Sequence, residues 1–352
     1  MKSILKMFPA VLILTAAGRV DASCGAAVCS LNTSWDTQGV WTEPGLRLDL
    51  RFEYIDQDKL RDRNNDAINA GPPGTHDESR TINRNNIMSL DYSSHPRRGV
   101  NVTLPWYNRD HMNADDPPED ESGAAAIRGS SAVTQRGTGA GNKKRFNPAG
   151  HEVEIGPEGR RQDWSYEGIG DLQVVGRYQI HSGIRSGYGV NFGAKFPTAP
   201  RKKRGDDGLN VDRSVNPGTG SWDAIVGAYL NGQLSDVSSG FVNTRFQLPV
   251  VDDGKYDPGA TFSLDLGYRR NLPYGFSFIP QLNTTVKENE GGDEGLPDNS
   301  GGVFVYLSPG LGYDLTRNSQ LFSFLQLPVY RNLDGPQVVA DWAFAFGMSI
   351  RH

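Results

Sequence analysis

Charged side chains recur in this chain at every second position. In Leu46-Arg47-Leu48-Asp49-Leu50-Arg51-Phe52-Glu53-Tyr54, the residues Arg47, Asp49, Arg51 and Glu53 fall on one face and the leucines and aromatics on the other, the period of a β-strand. Four charges on one strand face cannot lie in a dry core without partners. They suit a watery interior in which opposite signs pair across strands. The same alternation adds Asp91, Asp171, Arg177, Lys195, Asp223, Arg245, Asp265 and Arg269 to that face. Such a lining either selects solutes by paired charge or holds the wall together.

Other chemistry is sparse. His151-Glu152-Val153-Glu154 resembles half of a zinc motif, but no histidine stands at the next turn. The six histidines are scattered, and no Ser, His and acid set can be assembled by spacing. The acidic groups Asp206, Asp207, Asp212 and Asp115, Asp116, Glu119, Asp120, Glu121 lack the spacing of a calcium loop. Neither catalysis nor a metal or cofactor is expected. Cys24 and Cys29 are the cysteines, and in an exported chain they form a small disulfide loop. A metal pair and acylation of Cys24 are the alternatives, although Val20-Asp21-Ala22-Ser23 lacks the leucine and small-residue run that acylation uses. Arg201-Lys202-Lys203-Arg204 could bind lipopolysaccharide phosphates, or form a solvated loop.

The elements that position these residues follow from hydropathy. Met1 to Lys6 is basic, Met7 to Ala17 is apolar, and Val20-Asp21-Ala22 offers a cleavage site, so residues 1–22 read as a secretory signal. The apolar run is shorter than the roughly 20 residues of a spanning helix. Alternating segments then recur at Leu46 to Tyr54, Asn86 to Tyr92, Gly99 to Trp106, Gly170 to Ile180, Tyr188 to Phe196, Trp222 to Leu230 and Phe241 to Val250. Others lie at Ala260 to Arg269, Tyr274 to Val286, Val303 to Asp314, Leu321 to Tyr330 and Val339 to His352. Each has about the 9–11 tilted residues that cross a bilayer as a strand.

The connections between them alternate. Ile55 to Asn85, Tyr107 to Ile169, Pro197 to Ser221, Val251 to Gly259, Lys287 to Gly302 and Arg331 to Val338 are mostly long and rich in Asp, Gly, Asn and Pro. Ser93 to Arg98, His181 to Gly187, Asn231 to Gly240, Asn271 to Pro273 and Leu315 to Gln320 are short. Long outer loops and short periplasmic turns are the outer-membrane pattern. Trp41, Tyr54, Tyr92, Trp106, Trp164, Tyr166, Trp222, Tyr268 and Trp342 lie near strand ends, where interfacial girdles form. The fold class expected is all-β, a transmembrane antiparallel up-and-down barrel of about twelve strands over residues 45–352. A net charge of −5 argues against a nucleic-acid partner.

Several segments resemble the outer-membrane family of the MetA pathway of phenol degradation, transporters in the wider neighbourhood of the long-chain fatty-acid channels. They are Gly168-Ile169-Gly170-Asp171-Leu172, Ala194-Lys195-Phe196-Pro197-Thr198, Pro217-Gly218-Thr219-Gly220-Ser221-Trp222-Asp223, and the tail from Leu325-Gln326-Leu327-Pro328-Val329-Tyr330 onward. The resemblance implies transport of small, hydrophobic or aromatic compounds. The tail departs from the family's aromatic ending, since it closes on Ile350-Arg351-His352, so recognition by the barrel assembly machinery would rest on Phe344, Phe346 and Ile350.

Together these readings predict a barrel in the outer membrane of a Gram-negative bacterium, in contact with its lipids and lipopolysaccharide, that passes a small solute. The segment Ser23 to Pro44 is either a periplasmic tail or a plug stapled by Cys24 and Cys29. The long Tyr107 to Ile169 connection favours a different function, a sealed barrel that displays loops for binding. A barrel lipid hydrolase is a third class, for which His95 and His181 fall at the wrong end. Solute and oligomeric state are left open by the sequence.

Overall fold

The computed structural model describes residues 31–40, 43–64, 78–113, 163–183, 185–201, 213–252 and 254–352, with the short strands Ser23–Cys24, Lys144–Phe146 and Glu152–Glu154. The wall is a closed antiparallel barrel of 12 strands. These are β1 (Gly45–Asp62), β2 (Glu78–His95), β3 (Arg98–Asn113), β4 (Asp163–Ile169 and Leu172–Ser182), β5 (Ser186–Phe196) and β6 (Trp222–Ser235). The second half comprises β7 (Ser238–Val251), β8 (Thr261–Asn271), β9 (Phe276–Phe278 and Gln281–Lys287), β10 (Gly302–Ser308 and Gly310–Thr316), β11 (Ser319–Leu333) and β12 (Pro336–Arg351). Neighbours in sequence are neighbours in the wall. Closure comes from β12 on β1, in register from Arg351 opposite Arg47 to Pro336 opposite Asp62. Closure removes the sheet edges that a bilayer could not satisfy.

The side-chain period of two divides the wall into faces. Leu50, Phe52, Phe192, Val226, Leu325 and Phe346 are exposed on the outer surface, whereas Glu53, Asn83, Asn283 and Gln320 are buried inside. An outward apolar band with a polar interior is what lipid demands of a barrel. Among the described residues no helix is long and apolar enough to cross a membrane. The rim where β1 starts and β12 ends is called the lower rim here, and the opposite one the upper.

Three features of the wall depart from the alternation in the sequence. The strands extend upward past the expected ends: β1 runs on to Asp62, β2 begins at Glu78, β3 continues to Asn113 and β4 begins at Asp163, so the Ile55 to Asn85 and Tyr107 to Ile169 connections are shorter than expected. Both faces are polar there, so hydropathy carries no strand signal, and cross-strand pairs such as Arg80–Asp56 (2.5 Å) and Arg84–Asp110 (2.5 Å) line the extension. Secondly, Pro280 and Pro309 interrupt β9 and β10 side by side, with Ile279 turned inward and fully buried between the pieces.

The third feature is a notch. β11 pairs with β12 only from Ser319 to Gln326, although β11 continues on β10 up to Leu333 and β12 continues on β1 up to Pro336. Above Gln326 no ladder pair joins β11 to β12 among the described residues. Pro328 stands at this unpaired edge, where its missing N–H costs nothing. The short strand Ser23–Cys24 lies parallel to β12 at Gln337 and Val338.

Candidate functional site

The interior is filled at two levels by chain that is not wall. At the lower level, residues Asn32 to Gln38 fold inside the barrel as a tight turn, with Thr37 and Gln38 N–H groups donating to the Ser34 carbonyl (3.1 and 3.2 Å) and Gly39 at φ 81° reversing the chain. Gly39 is in the left-handed region that a side chain disfavours. Asn32 is fixed by its backbone N–H to Gln281 Oε1 (3.1 Å), by Gln281 Nε2 to its carbonyl (2.9 Å) and by its amide to Asp265 Oδ2 (3.2 Å). Trp35 is wholly buried, donates from Nε1 to Ser349 Oγ (2.7 Å), and meets the Phe322 ring edge-on at 5.2 Å. Asn231 Nδ2 closes the turn from β6 by donating to the Thr37 carbonyl (2.9 Å).

Charge holds this turn in place. Asp36 pairs with Arg177 Nε and with Arg47 Nη2 (3.5 Å); Arg47 also reaches Asp49 (2.8 Å) and Asp91 (3.6 Å). Burial by itself would raise the Asp36 carboxyl, but Arg47 and then Arg177 outweigh it and hold the group below its ordinary 3.8. Arg51 spans from Glu53 (2.8 Å) to Thr33 Oγ1 (2.7 Å). Below the turn opens a vestibule of about 610 Å³ bounded by Gln38, Gly39, Asn231 and the wall residues Gln179 and Arg269.

The upper level is closed by the segment between β5 and β6. Val215, Asn216 and Ser221 are buried, and Arg109 of β3 donates to the Val215 carbonyl. Lys195 is the centre: its ammonium pairs with Asp223 (2.8 Å) and Asp171 (3.6 Å) and donates to Ser221 Oγ (3.2 Å) and to Thr219 Oγ1. Asp171 reaches this point because β4 breaks after Ile169, where Gly170 comes so close to Tyr107 that an added Cβ would lie 2.3 Å from its ring. The carboxylate then accepts from the Ala199 and Thr219 N–H groups (both 3.1 Å). Arg213 adds a second tie, stacking over Tyr256 (5.1 Å) and pairing with Glu294 (3.5 Å). Burial first, and then the Glu290 charge, raise the Tyr256 phenol well above its ordinary value of 10.

Between the two levels Arg245 donates to Gln173 (2.6 Å) and Gln247 (3.1 Å), Gln247 donates to Asp223 (2.6 Å), and Asn283 donates to Asp265 (2.8 Å). The polar side of the interior is thus lined by hydrogen-bonded clusters from one level to the other. Arg47, Asp49, Glu53, Asp91, Asp171, Arg177, Lys195, Asp223 and Arg269 are buried on that side, and Arg51, Arg245 and Asp265 half-buried. Arg269 stands apart from both clusters, donating to Ser277 (2.9 Å) at the vestibule. Arg201 is exposed, while Lys202, Lys203 and Arg204 lie outside the described residues, as does Cys29 and with it the disulfide.

Opposite the polar network the interior is apolar. Ile55, Phe322, Phe324, Ala343, Ala345 and Ile279 form one buried cluster with Leu31 and Trp35, and Phe304, Leu333 and Val339 with Tyr306 form a second one nearer the upper rim. The rings of Phe324 and Phe322 lie over Gly310 and Gly347, where an added Cβ would sit 2.2 and 2.3 Å from them. These glycines let the rings lie flat on the wall. The two clusters form an interrupted apolar stripe, one near the notch beside β11 and one around Trp35. It was not foreseen from the sequence, although Leu321-Phe322-Ser323-Phe324-Leu325 is apolar on both faces of its strand, a pattern that a lipid-only reading does not explain.

Residues 132–351 match a family described as "Putative MetA-pathway of phenol degradation". Among solved structures, the fold is similar to the COG4313 outer membrane channel from Pseudomonas putida F1, with TM-score 0.58, 11% identity and coverage of 88% of this chain and 96% of that one. The NanC porin follows at TM-score 0.45, 8% identity and coverage of 87% and 100%. The CymD monoaromatic hydrocarbon channel has TM-score 0.42, 10% identity and coverage of 92% and 94%. Curated proteins yield no match.

Proposed function

The chain belongs to this MetA-pathway family, and on that premise we propose that it is an outer-membrane channel for small hydrophobic, aromatic solutes. One observation carries the reading: two buried apolar clusters inside an otherwise polar barrel, Phe304, Leu333 and Val339 near the notch and Phe322, Phe324 and Trp35 at the lower turn. A water-filled pore for sugars or ions has no use for them, because an aromatic solute gains about 25 cal/mol per Å² of apolar surface it buries. The fold shared with a protein described as an outer membrane channel supports passage. In this scheme residues 1–22 direct export and the Asn32 to Gln38 turn is a plug that moves or loosens when solute arrives. The Cys24 and Cys29 pair and the Arg201 to Arg204 run serve as staple and lipopolysaccharide contact.

The test is flux through refolded protein in vesicles with a lipopolysaccharide outer leaflet, comparing phenol with a sugar of similar size. Faster entry of phenol that falls several-fold in Phe324→Ser, with sugar entry unchanged, is the expected result. Equal entry of both solutes, insensitive to Phe324→Ser, would replace this reading with a general diffusion pore. A second reading, a sealed barrel that displays its loops, draws on the closure of the interior at both levels, and it is favoured if neither solute enters.

A further inference from the structure

The notch between β11 and β12 carries a charge arrangement that neither closure nor the apolar stripe uses. A cavity of about 400 Å³ lies along the unpaired β11 edge, lined by Pro328, Val329, Tyr330 and Arg331, by Asp341 of β12, and by Arg61, Arg63 and Asn64 at the end of β1. Asp341 pairs with Arg61 (2.9 Å) and with Arg331 (3.1 Å), and Arg331 also donates to the Ala340 carbonyl (2.9 Å), bridging the gap where the backbone ladder is missing. Among the described residues, the lining sets the guanidiniums of Arg63 and Arg331 beside the carboxylate of Asp341, which Arg61 also engages. Arg331 is largely buried, with 11% of its side chain exposed, and its Nη1 nitrogen has no hydrogen-bond partner. Arg63 is exposed at the mouth.

We propose that this notch is a binding site for a phosphate oxyanion. Planar guanidiniums match the oxygens of phosphate two at a time, and an unpartnered buried nitrogen is the donor such a ligand would satisfy. The position also points to the carrier. Trp342, next to Asp341, stacks on Tyr54 of β1 at 5.6 Å on the outer surface, which marks the headgroup level. Val329 and Tyr330 are exposed beside the cavity and offer apolar surface at the same height. A lipid phosphate of the outer leaflet, with its chains against Val329 and Tyr330, meets both halves of the site. The inference is independent of which solute the barrel passes.

The experiment is titration of the purified full-length protein in neutral detergent with lipid A, with lipid A stripped of its phosphates, and with inorganic phosphate, read by native mass spectrometry. Retention of lipid A that weakens at least about tenfold without its phosphates, and again in Arg331→Gln or Arg63→Gln, is expected. Because Arg331 bridges the wall, its variant is first checked for the heat-dependent gel shift of a folded barrel; Arg63, exposed and outside the wall pairs, serves if Arg331→Gln fails that check. Inorganic phosphate competing at concentrations comparable to lipid A would uphold the oxyanion site and assign it to a free anion. Equal retention of the stripped lipid, or no effect of Arg63→Gln and a folded Arg331→Gln, would overturn it.

Discussion

The lower closure lies between β1 and the two-residue strand Ser23–Cys24 on β12, whereas the upper one is a connection held by long wall strands on both sides. Their polar chemistry is otherwise alike. Each centres on buried cations shared among carboxylates: Arg47 and Arg177 among Asp36, Asp49 and Asp91 below, and Lys195 between Asp171 and Asp223 above. Tethering makes the difference. On its N-terminal side the lower turn is retained by the two-residue pairing of Ser23–Cys24 with β12, so if its contacts fail it can leave the barrel more readily than the segment between β5 and β6, which long wall strands hold on both sides and which can merely loosen. The lower level is thus suited to opening and the upper to shaping what reaches it.

The largest effect is expected at the lower level. Asp36→Asn leaves Arg47 and Arg177 without their shared partner, and breaking a buried pair costs about 3–5 kcal/mol. At 1.4 kcal/mol per tenfold, that shifts the turn toward release by roughly two to four orders of magnitude. Single-channel recording in a planar bilayer checks it: steady opening of Asp36→Asn against a closed or flickering parent is expected, and an unchanged trace would mean that Trp35 and Asn32 hold the turn without help from charge. Lys195→Met should do less to conductance, because its segment stays tethered. It leaves Asp171 and Asp223 uncompensated, so the expected outcome is a reversal potential shifted toward cation selectivity. Opening of the channel by Lys195→Met as far as by Asp36→Asn would mean that tethering does not set the difference between the levels.

The pH scale separates the two levels further. Asp36 is held below its ordinary 3.8, so its contribution is fully present above that value and is lost as the pH falls from there through the depressed one. Tyr256 is raised above 10, so the stability tied to its neutral form is complete below 10 and is lost as the pH climbs toward the raised value. Acid should therefore release the lower turn, and strong alkali loosen the upper segment. Conductance recorded between pH 3 and 11 is expected to rise at both ends of that range. Asp36→Asn should remove the acid limb alone. Loss of the alkaline limb in that variant would couple the two levels and erase the distinction.

The barrel itself was legible because lipid imposes a period of two on every span, and the order of strands follows once each long connection is matched by a short one. The charged interior followed from the same period. What fills the interior was not legible, for a physical reason: the Asn32 to Gln38 and Arg213 to Ser221 segments have no periodicity, and their places are set by contacts distant in sequence, as between Trp35 and Ser349, 314 residues apart. The apolar stripe was hidden differently. Phe322 and Phe324 alternate with lipid-facing Leu321 and Leu325, so their strand looks merely hydrophobic. The Pro280 and Pro309 breaks and the notch beyond Gln326 depend on which neighbour a strand lacks, and a single strand's sequence does not record that.

The smallest expected effect lies in the upward extension of the wall, and it sharpens the comparison by isolating charge from burial. Arg80 and Asp56 make a close pair at 2.5 Å, yet 41% of the Arg80 side chain is exposed. Water screens such a pair, and exposed pairs contribute about 0–1 kcal/mol whatever their geometry. Arg80→Gln should accordingly leave conductance unchanged and lower the midpoint of thermal unfolding by little, and added salt should cancel even that. Asp36, with its side chain 5% exposed, should keep its effect in the same salt, since screening acts weakly on buried pairs. Measuring both variants at low and high ionic strength decides the point. A salt-sensitive Asp36→Asn phenotype would mean that water reaches the lower cluster in the closed barrel, and that the turn is held by its hydrogen bonds and the Trp35 to Phe322 contact instead.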